Sequence, residues 1–109
     1  EYFAERHDAE KVKQFDSQFH EAIYRASGSA IYYDTLKPLH KKTQKYRKAS
    51  VSSGNRGIVS VAEHRGIFEA IAARDKALAE SRMTEHVNNA CDNLMKYYLA
   101  ESEGKAEDI

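Results

Sequence analysis

Apolar residues return along this chain every third or fourth position and hardly anywhere alternate, a pattern that predicts helices and no strands. The first helix is expected from about Asp8 to Ser27. Asp8 can cap its start, Val12, Phe15, Phe19, Ile23 and Ala26 form one stripe, and Gly28 stops it. Residues 1–7 read as the end of an earlier element. A second helix starts near Ser29 and carries Tyr32, Leu36, Leu39, Thr43 and Tyr46 along one side, with Pro38 expected to bend or locally break it. It should dissolve into SVSSGNRG, residues 50–57, the one good loop signal in the chain. A third helix, from about Ser60 to Arg74, turns Val61, Ile67, Phe68 and Ile71 inward. Asp75 can cap a fourth, which continues through Leu78, Met83, Val87, Ala90, Leu94 and Tyr97 to about Ser102 and leaves ESEGKAEDI as a frayed tail. Short links make these four helices mostly antiparallel neighbours, so the expected fold is an all-α antiparallel helical bundle.

At 109 residues the chain has room for one core. The arms on either side of the loop are too short for separate cores, so residues 1–109 are expected to form a single domain. Seventeen basic residues balance seventeen acidic ones, and a chain of zero formal charge has no global field to gather nucleic acid or anionic lipid. DNA binding by this segment alone is therefore disfavoured. The single cysteine, Cys91, excludes an internal disulfide and a cysteine-rich zinc site and fits a reducing compartment. No apolar run approaches the roughly 20 residues that span a bilayer. The N-terminal EYFAERHDAE is too charged for a signal peptide, and the expectation is a soluble, cytoplasmic protein.

Chemistry enters with the polar residues that interrupt the stripes. At about 100° per residue, His64 falls in the middle of the arc formed by Val61, Ile67, Phe68 and Ile71. His86 lies at the margin of its own apolar arc beside Ala79, Met83 and Ala90, while Asp16 sits near the stripe of the first helix with His20 one turn later. Taken singly, each histidine reads as a core or boundary residue bonded through one ring nitrogen to a carbonyl or carboxylate. Taken together, one carboxylate and three imidazoles make a complete set of ligands for a divalent transition metal, which gives their burial a cause. His7 reads as a solvated surface group and His40 as half-exposed. Arg47 falls close to the angular position of Leu36, where it either anchors a ligand's carboxylate or belongs to the surface run KKTQKYRK. Tyr24, Tyr32 and Tyr33 read as packing residues with hydroxyls within reach of a cavity.

Two stretches, FDSQFHEAIYRASGS and AEHRGIFEAIAARDKALAESRMTEHV, resemble the C-terminal effector-binding domain, called FCD, of GntR-type bacterial transcription regulators in the FadR branch. The resemblance rests on Asp16, Phe19 and His20, then on Glu63, His64, Ile67, Ala70 and Ile71, then on Arg74 and Asp75, and finally on Ala79, Met83 and His86, all in family order. It spans residues 8 to about 98. It implies that Asp16, His20, His64 and His86 bind a divalent metal, zinc, nickel or manganese, inside the bundle, and that the metal's open positions help hold a small carboxylate metabolite. Arg47 is the candidate second anchor for that carboxylate. Such domains normally begin with further helices, behind a winged helix-turn-helix that binds operator DNA, so this chain reads as the later part of one. The turn Gly28-Ser29 also departs from the asparagine common there.

Three functions follow from these readings. The first is a non-catalytic ligand-sensing domain that acts through a homodimer and reaches DNA only through a separate N-terminal domain. The second is a helical metalloenzyme, for which Glu63 beside His64 is the one evident general base. The third is a dimerisation bundle whose histidines pack without metal.

Overall fold

A computed structural model of the chain describes residues 1–52 and 56–107, with side chains described throughout these except at 44–52, 97, 101 and 103–107. Five helices follow in order: α1 (Tyr2–Glu5), α2 (Ala9–Ala26), α3 (Ala30–Ser52), α4 (Arg56–Ala72) and α5 (Lys76–Glu107). No strand occurs among the described residues. The molecule measures 52 × 31 × 24 Å. None of the described helices is long and apolar enough to cross a membrane.

Each helix starts and stops for a local reason. The Asp8 side chain accepts from the Lys11 N–H at 3.2 Å and caps α2, and Asp75 does the same for α5 through the Leu78 N–H at 3.1 Å. Gly28 ends α2 at φ 70°. The α4–α5 link is a left-handed C-terminal motif: Asp75 N–H reaches back to Ala70 C=O, Arg74 N–H to Ile71 C=O, and Arg74 stands at φ 56° where glycine is usual. α3 runs through Pro38 without ending there. Asp34, whose carbonyl loses its partner at that proline, and Pro38 itself are both exposed, so water can serve the freed carbonyl.

Two limits differ from the sequence reading. α4 opens at Arg56 rather than Ser60, because Gly57 and Ser60 are small enough to bury against neighbouring helices and extend the packed face by a turn. α5 continues to Glu107, beyond the expected end near Ser102. Within the expected loop, residues 53–55 lie outside the described residues, and those flanking them are helical.

The helices assemble as two hairpins. α2 packs along α3 and α4 along α5; α3 then touches both helices of the second hairpin, and α1 closes against α2 and α4. Among the described residues, Ala4, Val12, Ile67 and Ala70 are the buried hydrophobic ones, and they lie beside the buried polar residues Asp16, His20, His40, Ser60 and His86. Several residues expected inside are instead exposed, among them Phe15 at 50%, Phe68 at 58% and Ile71 at 47%. The buried arc of α4 centres on Ile67, between Ala70 and Ser60, which leaves Phe68 about 100° round from it and outside the contact. Phe15 stacks on Phe3 at 5.7 Å, on the outer side of α2.

Candidate metal centre

Asp16 and His20 stand one turn apart on α2, and this spacing lays both side chains on the face that meets the second hairpin. His64 comes from the middle of α4 and His86 from α5. One ligand atom from each of these four residues lies within 4.8 Å of all the others. The Asp16 Oδ1 is 3.4 Å from His20 Nε2 and 3.2 Å from His64 Nε2, and His64 Nε2 is 3.1 Å from His86 Nε2. Asp16, His20 and His86 are buried, and His64 nearly so.

These spacings can be set against coordination chemistry. With metal–ligand bonds of about 2.0–2.2 Å, neighbouring ligand atoms in a tetrahedral or octahedral shell are about 2.9–3.5 Å apart. Three of the separations fall in that range and all four ligand atoms lie within 4.8 Å, so the set would have to close slightly around an ion. A carboxylate with three imidazoles is a donor set suited to zinc and its first-row neighbours. The residues present therefore fit a divalent cation.

The rings are held both by one another and from outside the cluster. Phe19 stacks on His64 with centroids 4.3 Å apart and planes 12° from parallel, and His20 lies 5.4 Å from His86 in a stacked arrangement. On the far side of His86, its Nδ1 donates to Glu63 Oε1 at 2.8 Å. The same carboxylate oxygen accepts from Arg56 Nη2 at 2.9 Å, and Oε2 accepts from Asn89 Nδ2 at 2.7 Å. Burial works to raise the Glu63 carboxyl, yet the bonds from Asn89, His86 and Arg56 outweigh it and hold the group below the usual carboxylate range. Burial pushes the His86 imidazole down; its bond to Glu63 pulls the other way, and the nearby His64 and His20 rings add to the lowering.

His40 corrects an expectation. It is buried, not half-exposed, with Nε2 3.2 Å from Ser17 Oγ and 3.9 Å from Asp16 Oδ2, so it backs Asp16 from α3. His7 is exposed as expected, at φ 56°. The Arg47 side chain lies outside the described residues. Tyr24 packs beside the cluster, its ring centroid 6.4 Å from those of His20 and His40, whereas Tyr32 is 61% exposed and the Tyr33 hydroxyl donates to Glu21 at 3.0 Å.

A cavity of about 210 Å³ opens beside the cluster. Asp16, His20, His86, Arg56, Thr43 and Ser60 give its lining polar groups, and Val87, Ala90, Cys91 and Leu94 contribute apolar surface. Arg56 is the cavity residue the sequence reading missed. It lies one and two turns before Ser60 and His64, a spacing that has meaning only if SGNRG ends inside a helix.

The fold and the cluster define an all-helical domain with a buried seat able to hold a metal ion. The chain belongs to the FCD domain family, which matches residues 2–89. Over 87 residues it is 28% identical to a protein from Streptomyces ambofaciens described as an uncharacterized HTH-type transcriptional regulator in unstable DNA locus, covering 80% of this chain and 37% of that protein. The chain thus spans little more than a third of the curated relative it matches. No solved structure matches it.

Proposed function

We propose that residues 1–109 form the effector-binding domain of a GntR-type transcription regulator, in which Asp16, His20, His64 and His86 hold a divalent transition metal and a small carboxylate binds beside it. The observation that carries this reading is the convergence of four metal-capable side chains from three helices on one buried point. A bound divalent ion would supply a positive centre with positions open to an oxygen ligand. The protein's own share is charge and shape. One anionic ligand, Asp16, against a divalent cation leaves a net positive site, and Arg56, ion-paired to Glu63 at 2.9 Å, also lines the cavity. The wall of Val87, Ala90 and Leu94 then favours a carboxylate with a short apolar body over a highly polar polyacid.

Operator binding would belong to a separate domain, as the helix-turn-helix description of the Streptomyces protein suggests. Apolar side chains left uncovered, Ile31 at 76% and Leu39 at 53% among them, support a homodimer. A catalytic role is disfavoured by Glu63, because its carboxylate engages three donors and is not free to act as a general base.

The decisive experiment is metal analysis of purified protein with thermal melting. Chelator should lower the melting temperature, and zinc, nickel or manganese should restore it, since a ligand of the folded state alone stabilises that state. Short carboxylates should raise it further only when metal is present. A melting curve indifferent to chelator and to added metal refutes the proposal.

A further inference from the structure

We infer that Glu63 is a positioning residue that fixes His86 in the tautomer whose bare Nε2 faces the cluster. The inference rests on the proposed metal reading for its consequence, but its geometry stands in the metal-free chain. An ionised carboxylate has acceptors only, and Glu63 already receives two donors besides His86, the Arg56 guanidinium and the Asn89 amide. Its contact with His86 therefore requires the proton on Nδ1. In a neutral ring the other nitrogen is then unprotonated, and that nitrogen lies 3.1 Å from His64 Nε2, among the four convergent ligand atoms.

The placement of Glu63 is itself determined. Glu63 and His64 are neighbours on α4 and point about 100° apart, so His64 can enter the cluster while Glu63 passes behind the His86 ring and meets its opposite nitrogen. Asn89 lies three residues after His86 on the same face of α5 and binds the second carboxylate oxygen, so α5 supplies both the ring and a clamp for the group that orients it. Arg56, two turns before Glu63 on α4, pins the first oxygen, and its side chain is only 10% exposed. Alanine at this position removes the acceptor altogether, whereas glutamine would keep one oxygen for His86 and Arg56 and donate to the carbonyl of a turned Asn89 amide.

The test is two-bond proton–nitrogen correlation NMR on the metal-free protein, at a pH well above the ordinary histidine range, with the His86 signals assigned from their loss in His86→Gln. The wild type should show His86 protonated at Nδ1 and bare at Nε2, and Glu63→Ala, which leaves Nδ1 without its acceptor, should shift it towards the other tautomer or a mixture. Chelator competition should show Glu63→Ala binding zinc about 10- to 100-fold more weakly, as is usual when the partner of a ligating histidine is removed. Asn89→Ala, which keeps the carboxylate but loosens it, should show a smaller change in the same direction. His86 protonated at Nε2 in the wild type overturns the inference, and so does an unchanged tautomer or zinc binding at wild-type strength in a folded Glu63→Ala. If Glu63→Ala does not fold, the wild-type tautomer and Asn89→Ala still decide. A wild type that binds no metal refutes the metal reading, whereas the tautomer judges Glu63 separately.

Discussion

His64 is the joint of the cluster: its Nε2 is within 3.2 Å of both Asp16 Oδ1 and His86 Nε2, and its ring lies flat on Phe19. His64→Ala should therefore retain its helices and lose the melting response to metal and to carboxylates, which circular dichroism with and without added zinc would check. A preserved response would remove the ion from its supposed place. Asp16→Asn keeps the shape of the only anionic ligand and discards its charge, so dialysed protein should retain markedly less metal by elemental analysis. That Asp16, His20, His64 and His86 turn towards the interior was legible in the sequence because each lies within or beside an apolar stripe, an anomaly that helical periodicity exposes without coordinates. His40 was not, since its burial depends on how α3 lies across Ser17 and Asp16 and on no pattern within α3 itself. Arg56 and the bridging role of Glu63 were hidden for a related reason. One fell in a stretch that composition marks as loop, and the other reaches its partners only across the α4–α5 interface.

At the scale of the element, the two hairpin turns differ in how well their residues suit them. Gly28 holds φ 70° with nothing within 4 Å of where a Cβ would stand, so Gly28→Ala isolates the backbone cost of the left-handed conformation, about 1–2 kcal/mol. Arg74 adopts the same conformation with a side chain. Arg74→Gly should stabilise the protein by up to about 1 kcal/mol, and urea unfolding of both variants would show opposite signs. Ile67, 1% exposed, is the largest fully buried side chain described, and Ile67→Ala should cost about 2–5 kcal/mol in the same measurement. The four long helices, their order and the caps Asp8 and Asp75 could be read from the sequence because capping and stopping are local events, whereas the short α1, expected only as the end of an earlier element, adds a fifth helix. The inward faces could not be fixed as well. On α4 apolar residues ring much of the helix, and a rotation that seats Ile67, Ala70 and Ser60 against their neighbours leaves Phe68 outside, a choice made by packing between helices.

In the whole molecule, uncovered apolar side chains lie on several helices, including Ile31 and Leu39 on α3 and Met95, Tyr98 and Leu99 on α5. Sedimentation velocity over a range of concentrations should show self-association, and a monomer at every concentration would count against the homodimer. The division into two hairpins also governs how the seat is made. Asp16 and His20 belong to the first hairpin, His64 and His86 to the second, and each hairpin closes over a short link, whereas the cluster requires the two to meet. Ion capture can be complete only after that encounter. The rate at which a refolding chain takes zinc from a chromogenic indicator would then clock the docking of its two halves, separately from the earlier rise in helicity.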